Sequence, residues 1–182
     1  MLVIHPNDRT TDVLKILYEG LDAQVIVDNC SRPVIDHLLK HASTRERVML
    51  LGHGSDKGLY FREDGEEKFK KVIVGHRNNY MLRRHDGNII GIWCHANLFA
   101  QAEGLHGLFS GMMISEVSEA EEYGIAATHE EILASNKVMF GKLRRLLDEK
   151  VLLHKIPEMM KAWDEEHTPL SEFNSLLSTK IH

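Results

Sequence analysis

Several things are scarce in this chain, and each scarcity excludes something. Its 182 residues include only two cysteines, Cys30 and Cys94. Two thiols cannot form a disulfide framework, so stability has to come from a packed core and the expected compartment is the reducing cytoplasm. No apolar run approaches the roughly 18–20 residues that a membrane-spanning helix requires, so no membrane partner is expected. The opening stretch MLVIHPNDRTTD has no basic segment ahead of its apolar residues and soon turns polar, which predicts no secretory signal. Positive charge is also short: 22 Lys and Arg against 27 Asp and Glu give a net charge of −5. Arg83-Arg84 and Arg144-Arg145 are isolated pairs rather than a basic run, so no nucleic-acid partner is expected. Internal repeats and low-complexity segments are missing as well.

What is present is ordinary globular composition, 43% hydrophobic and 27% charged, in a length suited to one domain with its own core. The first half alternates short apolar runs with helical periodicity. Leu2-Val3-Ile4 predicts a strand that stops at His5-Pro6-Asn7. Thr10-Thr11-Asp12 then reads as the cap of a helix carrying Val13, Leu14, Ile16 and Leu17 on one face. Ala23–Val27 predicts a second strand, Ser31-Arg32-Pro33 opens a second helix, and Val48–Leu51 predicts a third strand. Asn88–Trp93 and Gly107–Ile114 supply two more strands, the last broken by Gly111, with a short helix expected over 77–84. Gly58–Phe61 with Glu63–Glu66 reads as a small hairpin tip rather than a core element. From Thr128 the apolar residues recur every three or four positions, so the last third is expected to be helical. The expectation is a single α/β domain over 1–182, three layers around a mainly parallel sheet, with a sheet-bearing core at 1–127 and a helical segment at 128–182.

Chemistry is concentrated in two stretches. In VMLLGHGSDKGLYF, residues 48–61, a buried run ends in Gly52-His53-Gly54; in GNIIGIWCHAN, residues 87–97, a second such run ends near Cys94. In an open parallel sheet functional groups gather past the carboxyl ends of strands, so adjacent strands would bring these two together. An imidazole beside a thiol is the arrangement that turns a cysteine into a nucleophile. A glycine beside the base lets a substrate backbone approach, and the Gly54 N–H is a candidate donor to a developing oxyanion.

An apolar run ending in His-Gly followed by a second ending in Cys resembles the caspase-like (clan CD) cysteine peptidases, and the first stretch resembles the caspase histidine block in particular. The resemblance spans roughly residues 1–127, with its specific content in the two short blocks. It implies a caspase-like fold and peptidase activity on a peptide or protein substrate, with His53 as the catalytic histidine, Cys94 as the nucleophile and Gly54 as an oxyanion-hole donor. No cofactor is implied. The cysteine block departs from the caspase pattern: Ile92-Trp93 and His95-Ala96 stand where caspases have a glutamine and a small residue before the nucleophile and a glycine two positions after it. Aspartate specificity is therefore not implied, and Trp93 becomes a candidate substrate-binding residue. Relatives specific for arginine or lysine use acidic residues in the pocket for the side chain before the scissile bond, which singles out Glu116 and Glu119 in ISEVSEAEEYG.

Other readings stay open beside this one. Cys94 alone could be a packed core thiol, giving a non-catalytic module of the same fold that binds a partner protein. The twelve histidines allow a metal-binding reading, through His37 and His41 at helical spacing or through Cys94 and His95 with His85 and His106. Against it, HLLKH lacks the glutamate of a zinc-protease helix and there is no Cys-x-x-Cys, so no metal is assigned. Gly52–Ser55 lacks the glycine spacing of a phosphate loop. The glutamates from 116 to 122 also fit a solvated helix start.

Overall fold

The computed structural model describes residues 1–28, 30–61, 71–162, 167–174 and the backbone of 177–179. Five strands lie parallel: β1 (Leu2–Ile4), β2 (Gln24–Ile26), β3 (Val48–Leu51), β7 (Ile89–Ile92) and β8 (Gly107–Ser110). Their order is β2-β1-β3-β7-β8, with β9 (Leu177–Thr179) added antiparallel beyond β8. A separate antiparallel sheet of three strands, β4 (Gly54–Ser55), β5 (Gly58–Phe61) and β6 (Lys71–Gly75), leaves the end of β3. The fold is thus the expected three-layer α/β/α arrangement with a helix-rich last third.

Side chains on a strand alternate between faces, and the apolar runs divide accordingly. Leu2, Ile4, Val48, Leu50 and Ile89 face one core, covered by α1 (Arg32–His41), α2 (Asn79–Leu82) and α3 (Ala96–Glu103). Val3, Met49, Leu51, Ile90 and Ile92 face the other. That face is covered by a 3-10 helix (Arg9–Leu17) through Leu14 and Leu17, and by α5 (His129–Asp148) through Phe140, Leu143 and Leu146. Full burial of an aliphatic side chain contributes about 1.5–3 kcal/mol, so strands apolar at every position are what two covered faces need. The helical third therefore packs into the same core as the sheet.

Local signals account for most boundaries. Thr128 caps α5, its hydroxyl accepting from the Glu131 N–H at 3.2 Å while the Glu131 carboxylate accepts from the Thr128 N–H at 2.8 Å. Pro33 sits in the first turn of α1. The structure differs from expectation in five places. The first helix is capped by Asp8, not by Thr10–Asp12, and winds as a 3-10 helix. Gly58–Phe61 is not a hairpin tip: it is the middle strand of the small sheet, with Leu59 fully buried; Glu63–Glu66 lies outside the described residues. The strand at Lys71–Gly75 and the strand at Leu177–Thr179 were not expected at all. The fifth parallel strand ends at Ser110, one residue short of Gly111.

Candidate functional site

At the carboxyl edge of the parallel sheet, Leu51 of β3 pairs with Ile92 of β7, and the Gly52 N–H donates to the Ile92 carbonyl at 3.0 Å. The chain then diverges on both strands. Gly52, at φ +138°, occupies a conformation that other residues rarely adopt, and His53 follows directly. On the neighbouring strand, Trp93 and Cys94 form a tight turn into α3, and His95 takes a left-handed φ of 65° as the residue preceding that helix. Backbone strain of this kind on a non-glycine residue is found where the surroundings dictate the geometry, commonly at functional sites. The His95 N–H is held by the Gly111 carbonyl at 3.1 Å, which ties the turn to the end of β8.

His53 and Cys94 both line one narrow cleft with about 30 Å³ of room inside it, enough for a water molecule or two. Its other walls come from the 3-10 helix (Thr10, Thr11, Val13, Leu14), from the segment after β8 (Met113, Ser115) and from α5 (Asn136, Phe140). Trp93 and Ile92 form part of its floor.

The base side carries a hydrogen-bonded chain. The Thr10 hydroxyl donates to Asp8 Oδ1 at 2.7 Å and therefore accepts from the His53 Nε2–H at 2.6 Å. The Asp8 carboxylate, 9% exposed, also accepts from the Thr10 N–H at 3.0 Å and lies 3.9 Å from His53 Nε2. With Nε2 acting as donor, Nδ1 is the ring nitrogen that carries the lone pair. Beneath this chain His5 is buried, its ring nitrogens bonded to Tyr18 Oη at 2.9 Å and Thr11 Oγ1 at 3.2 Å. Burial lowers its pKa to about 4, so it is neutral and serves as a fixed brace for the loop that presents Asp8 and Thr10.

Cys94 is half-buried. The Cys94 thiol donates to the Met113 carbonyl at 3.5 Å. Burial pushes its pKa up to about 11, with the Glu119 carboxylate adding in the same direction and the Met113 contact opposing. In this state the sulfur is a thiol at neutral pH, and only a base can make it a nucleophile.

Of the six residues singled out from sequence, the fold brings His53, Cys94 and Trp93 to the cleft and leaves three outside its lining. Trp93 is 1% exposed, its indole N–H donating to the Ser55 carbonyl at 3.0 Å, so its ring is packing beneath the cleft more than a surface for a ligand. Gly54 packs on that ring: a Cβ there would meet Trp93 Cδ1 at 2.2 Å and the Gly58 carbonyl at 2.4 Å. The Tyr60 N–H donates to the His53 carbonyl, making Gly54 and Leu59 the non-hydrogen-bonded pair, so the Gly54 N–H lies outside the β4–β5 ladder. Glu119 is committed elsewhere, its Oε2 accepting from the Ser115 N–H at 2.7 Å, Ser115 Oγ at 2.9 Å and the Glu116 N–H at 3.2 Å. Glu116 is exposed at the start of α4 (Val117–Glu122). The helix-start reading of these glutamates is the one their geometry fits.

Sequence reasoning missed Asp8 and Thr10, and it missed a buried amide pair. Asn136 of α5 and Asn174 of α7 (Pro169–Asn174) grip the backbone of Ile114 from two sides. The Asn174 amide also donates to Asn136 Oδ1 at 2.7 Å, so the helical third fastens the wall that faces Cys94. Nothing in the sequence pairs residues 38 positions apart.

Among the described residues no group of three or more His, Cys, Asp or Glu is arranged to hold a metal. His85 is buried against the Leu39 carbonyl, His106 pairs with Asp86, and His37 and His41 stack with ring centres 4.1 Å apart. Among the described residues no helix is long and apolar enough to cross a membrane. The molecule is therefore an α/β/α protein with an imidazole–thiol cleft at the carboxyl edge of its parallel sheet. No family model matches the chain, and no curated protein or solved structure does either.

Proposed function

We propose that the chain is a cysteine-dependent hydrolase of caspase-like type that cleaves peptide bonds. The observation that carries this reading is the shared cleft: His53 and Cys94 leave neighbouring parallel strands at the same edge, and the imidazole is oriented from behind by Thr10 and Asp8. His53 Nδ1 takes the thiol proton as Sγ attacks the scissile carbonyl, the C–N bond breaks, and the leaving amine receives that proton. A water then adds to the thioester, giving its proton to His53, and the C–S bond breaks to restore the thiol. We assign the developing oxyanion to the Gly54 N–H, which is not committed to the β4–β5 ladder.

A second reading has an observation of its own. The desolvated thiol bonded to the Met113 carbonyl is also what a packed, inert cysteine looks like, as in a non-catalytic module binding a partner protein. Iodoacetamide labelling of Cys94 across pH separates the two. In the hydrolase, labelling near neutral pH proceeds faster than that of a thiol with pKa about 11, and His53→Ala slows it by about 10²-fold. Labelling that rises only above pH 10 and ignores the loss of His53 removes the catalytic reading.

A further inference from the structure

The cleft combines the catalytic pair with walls that are uncharged and internally satisfied. Among its described lining residues there is no aspartate, glutamate, lysine or arginine. The polar side chains that do line it already have partners. Thr10 is held by Asp8 and His53, Thr11 by His5 and the Asp8 carbonyl. Ser115 donates to Glu119, and Asn136 is bonded to Ile114 and Asn174. Two carboxylates stand behind the lining without joining it: Asp8 accepts from the Thr10 hydroxyl and N–H, and Glu119 spends three hydrogen bonds on its own helix start. What is left to meet a substrate side chain is hydrocarbon: Val13 at the mouth, with Leu14, Met113 and Phe140 deeper in, the last three each less than 10% exposed.

A charged side chain entering such a cleft would lose hydration with no opposite charge in the described lining to compensate it. A bulky ring would have to displace side chains that are already packed in the second core. A short aliphatic group matches both limits.

Resting on the hydrolase reading, we propose that the substrate is a peptide whose residue on the acyl side of the scissile bond carries a short uncharged aliphatic side chain, alanine or valine, rather than an acidic or basic one. This assigns specificity to Val13, Leu14, Met113 and Phe140, and withdraws it from Glu116 and Glu119.

The test uses the intact chain and peptidyl chloromethyl ketones that differ only in that residue: alanine, valine, phenylalanine, aspartate or arginine. Alkylation of Cys94 is followed by mass spectrometry and divided by the rate with iodoacetamide. The alanine and valine reagents should react at least tenfold faster than the aspartate and arginine reagents, with phenylalanine in between. Val13→Ala, which opens the mouth without adding a polar group, should narrow the gap between valine and phenylalanine. Equal or faster reaction of the aspartate or arginine reagent, with iodoacetamide labelling still dependent on His53, overturns the specificity and leaves the hydrolase reading standing. Iodoacetamide labelling that does not depend on His53, together with equal rates for all five reagents, overturns both.

Discussion

On the base side of the cleft the imidazole of His53 is anchored through Thr10 to the Asp8 carboxylate, and the loop bearing them is braced by His5 between Tyr18 and Thr11. On the nucleophile side Cys94 is half-buried with its thiol on one carbonyl, and burial pushes its pKa up to about 11. On the proposed hydrolase reading, the first half is already aligned for a substrate and the second is latent until a proton is removed. A hydrolase so divided depends on its base for every turnover, whereas a preformed thiolate–imidazolium pair would react without one. The contrast can be broken from either side.

The largest effect belongs to the nucleophile. Cys94→Ala should lower hydrolysis of an alanyl peptide amide by about 10³-fold or more, because Cys94 carries the one thiol in the described lining and the hydroxyls of Thr10, Thr11 and Ser115 already donate to Asp8 or Glu119. The fold should be retained, since the substitution removes one sulfur atom and its weak bond to the Met113 carbonyl from a half-buried position. Thermal unfolding beside the activity assay checks both statements. Cleavage that survives the substitution would transfer the chemistry to another residue and leave the base side without a function.

Next comes the footing of the base. Burial lowers the pKa of His5 from 6.5 to about 4, while the unfolded chain keeps the ordinary value. Between these two pH values the unfolded state binds a proton that the folded state refuses, so stability falls as pH falls through that window. The contribution is complete above about pH 6.5 and is lost by about pH 4, and 2.5 pKa units correspond to roughly 3 kcal/mol. Urea unfolding at pH 7 and pH 4 should show wild type losing that much more than His5→Gln, whose amide keeps hydrogen-bonding capacity without titrating there. Equal acid sensitivity of the two proteins would mean that the brace carries no titrating load.

The division between the halves also explains what could be read from residues alone. Strands β3 and β7 were legible because each is apolar at every position and ends in residues that cannot continue a buried strand, so His53 and Cys94 fell at one edge by topology. Asp8 and Thr10 were not legible. A Ser/Thr/Asp cluster before an apolar stripe signals a helix cap, and which member caps while another turns toward a histidine 43 positions away is decided in three dimensions. The Lys71–Gly75 strand escaped because it pairs only with Gly58–Phe61 outside the main sheet. Nothing in the sequence sets Asn136 and Asn174 apart from surface amides; they are 3% and 1% exposed and both bond the backbone of Ile114. For Glu116 and Glu119 the sequence offered both a specificity pocket and a helix start, and the hydrogen bonds of Glu119 fit the helix start.

The smallest effect is the one that sharpens the comparison most. Thr10→Val keeps the shape of the side chain and removes the hydroxyl that links His53 Nε2 to Asp8 Oδ1. Without that acceptor the proton on Nε2 has no fixed partner, and the tautomer with Nδ1 as base loses its preference. Labelling of Cys94 by iodoacetamide near neutral pH should then fall about tenfold, equivalent to about 1.4 kcal/mol, within the range for one hydrogen bond to a group that becomes charged. The alkaline limb, governed by burial of the thiol, should stay where it is. Thr10→Ser restores the hydroxyl and should restore the neutral-pH rate. A merely structural role for Thr10 would lower the melting temperature and leave the shape of the pH–rate profile unchanged; that outcome would sever Asp8 and Thr10 from the chemistry and leave His53 to be oriented by packing alone.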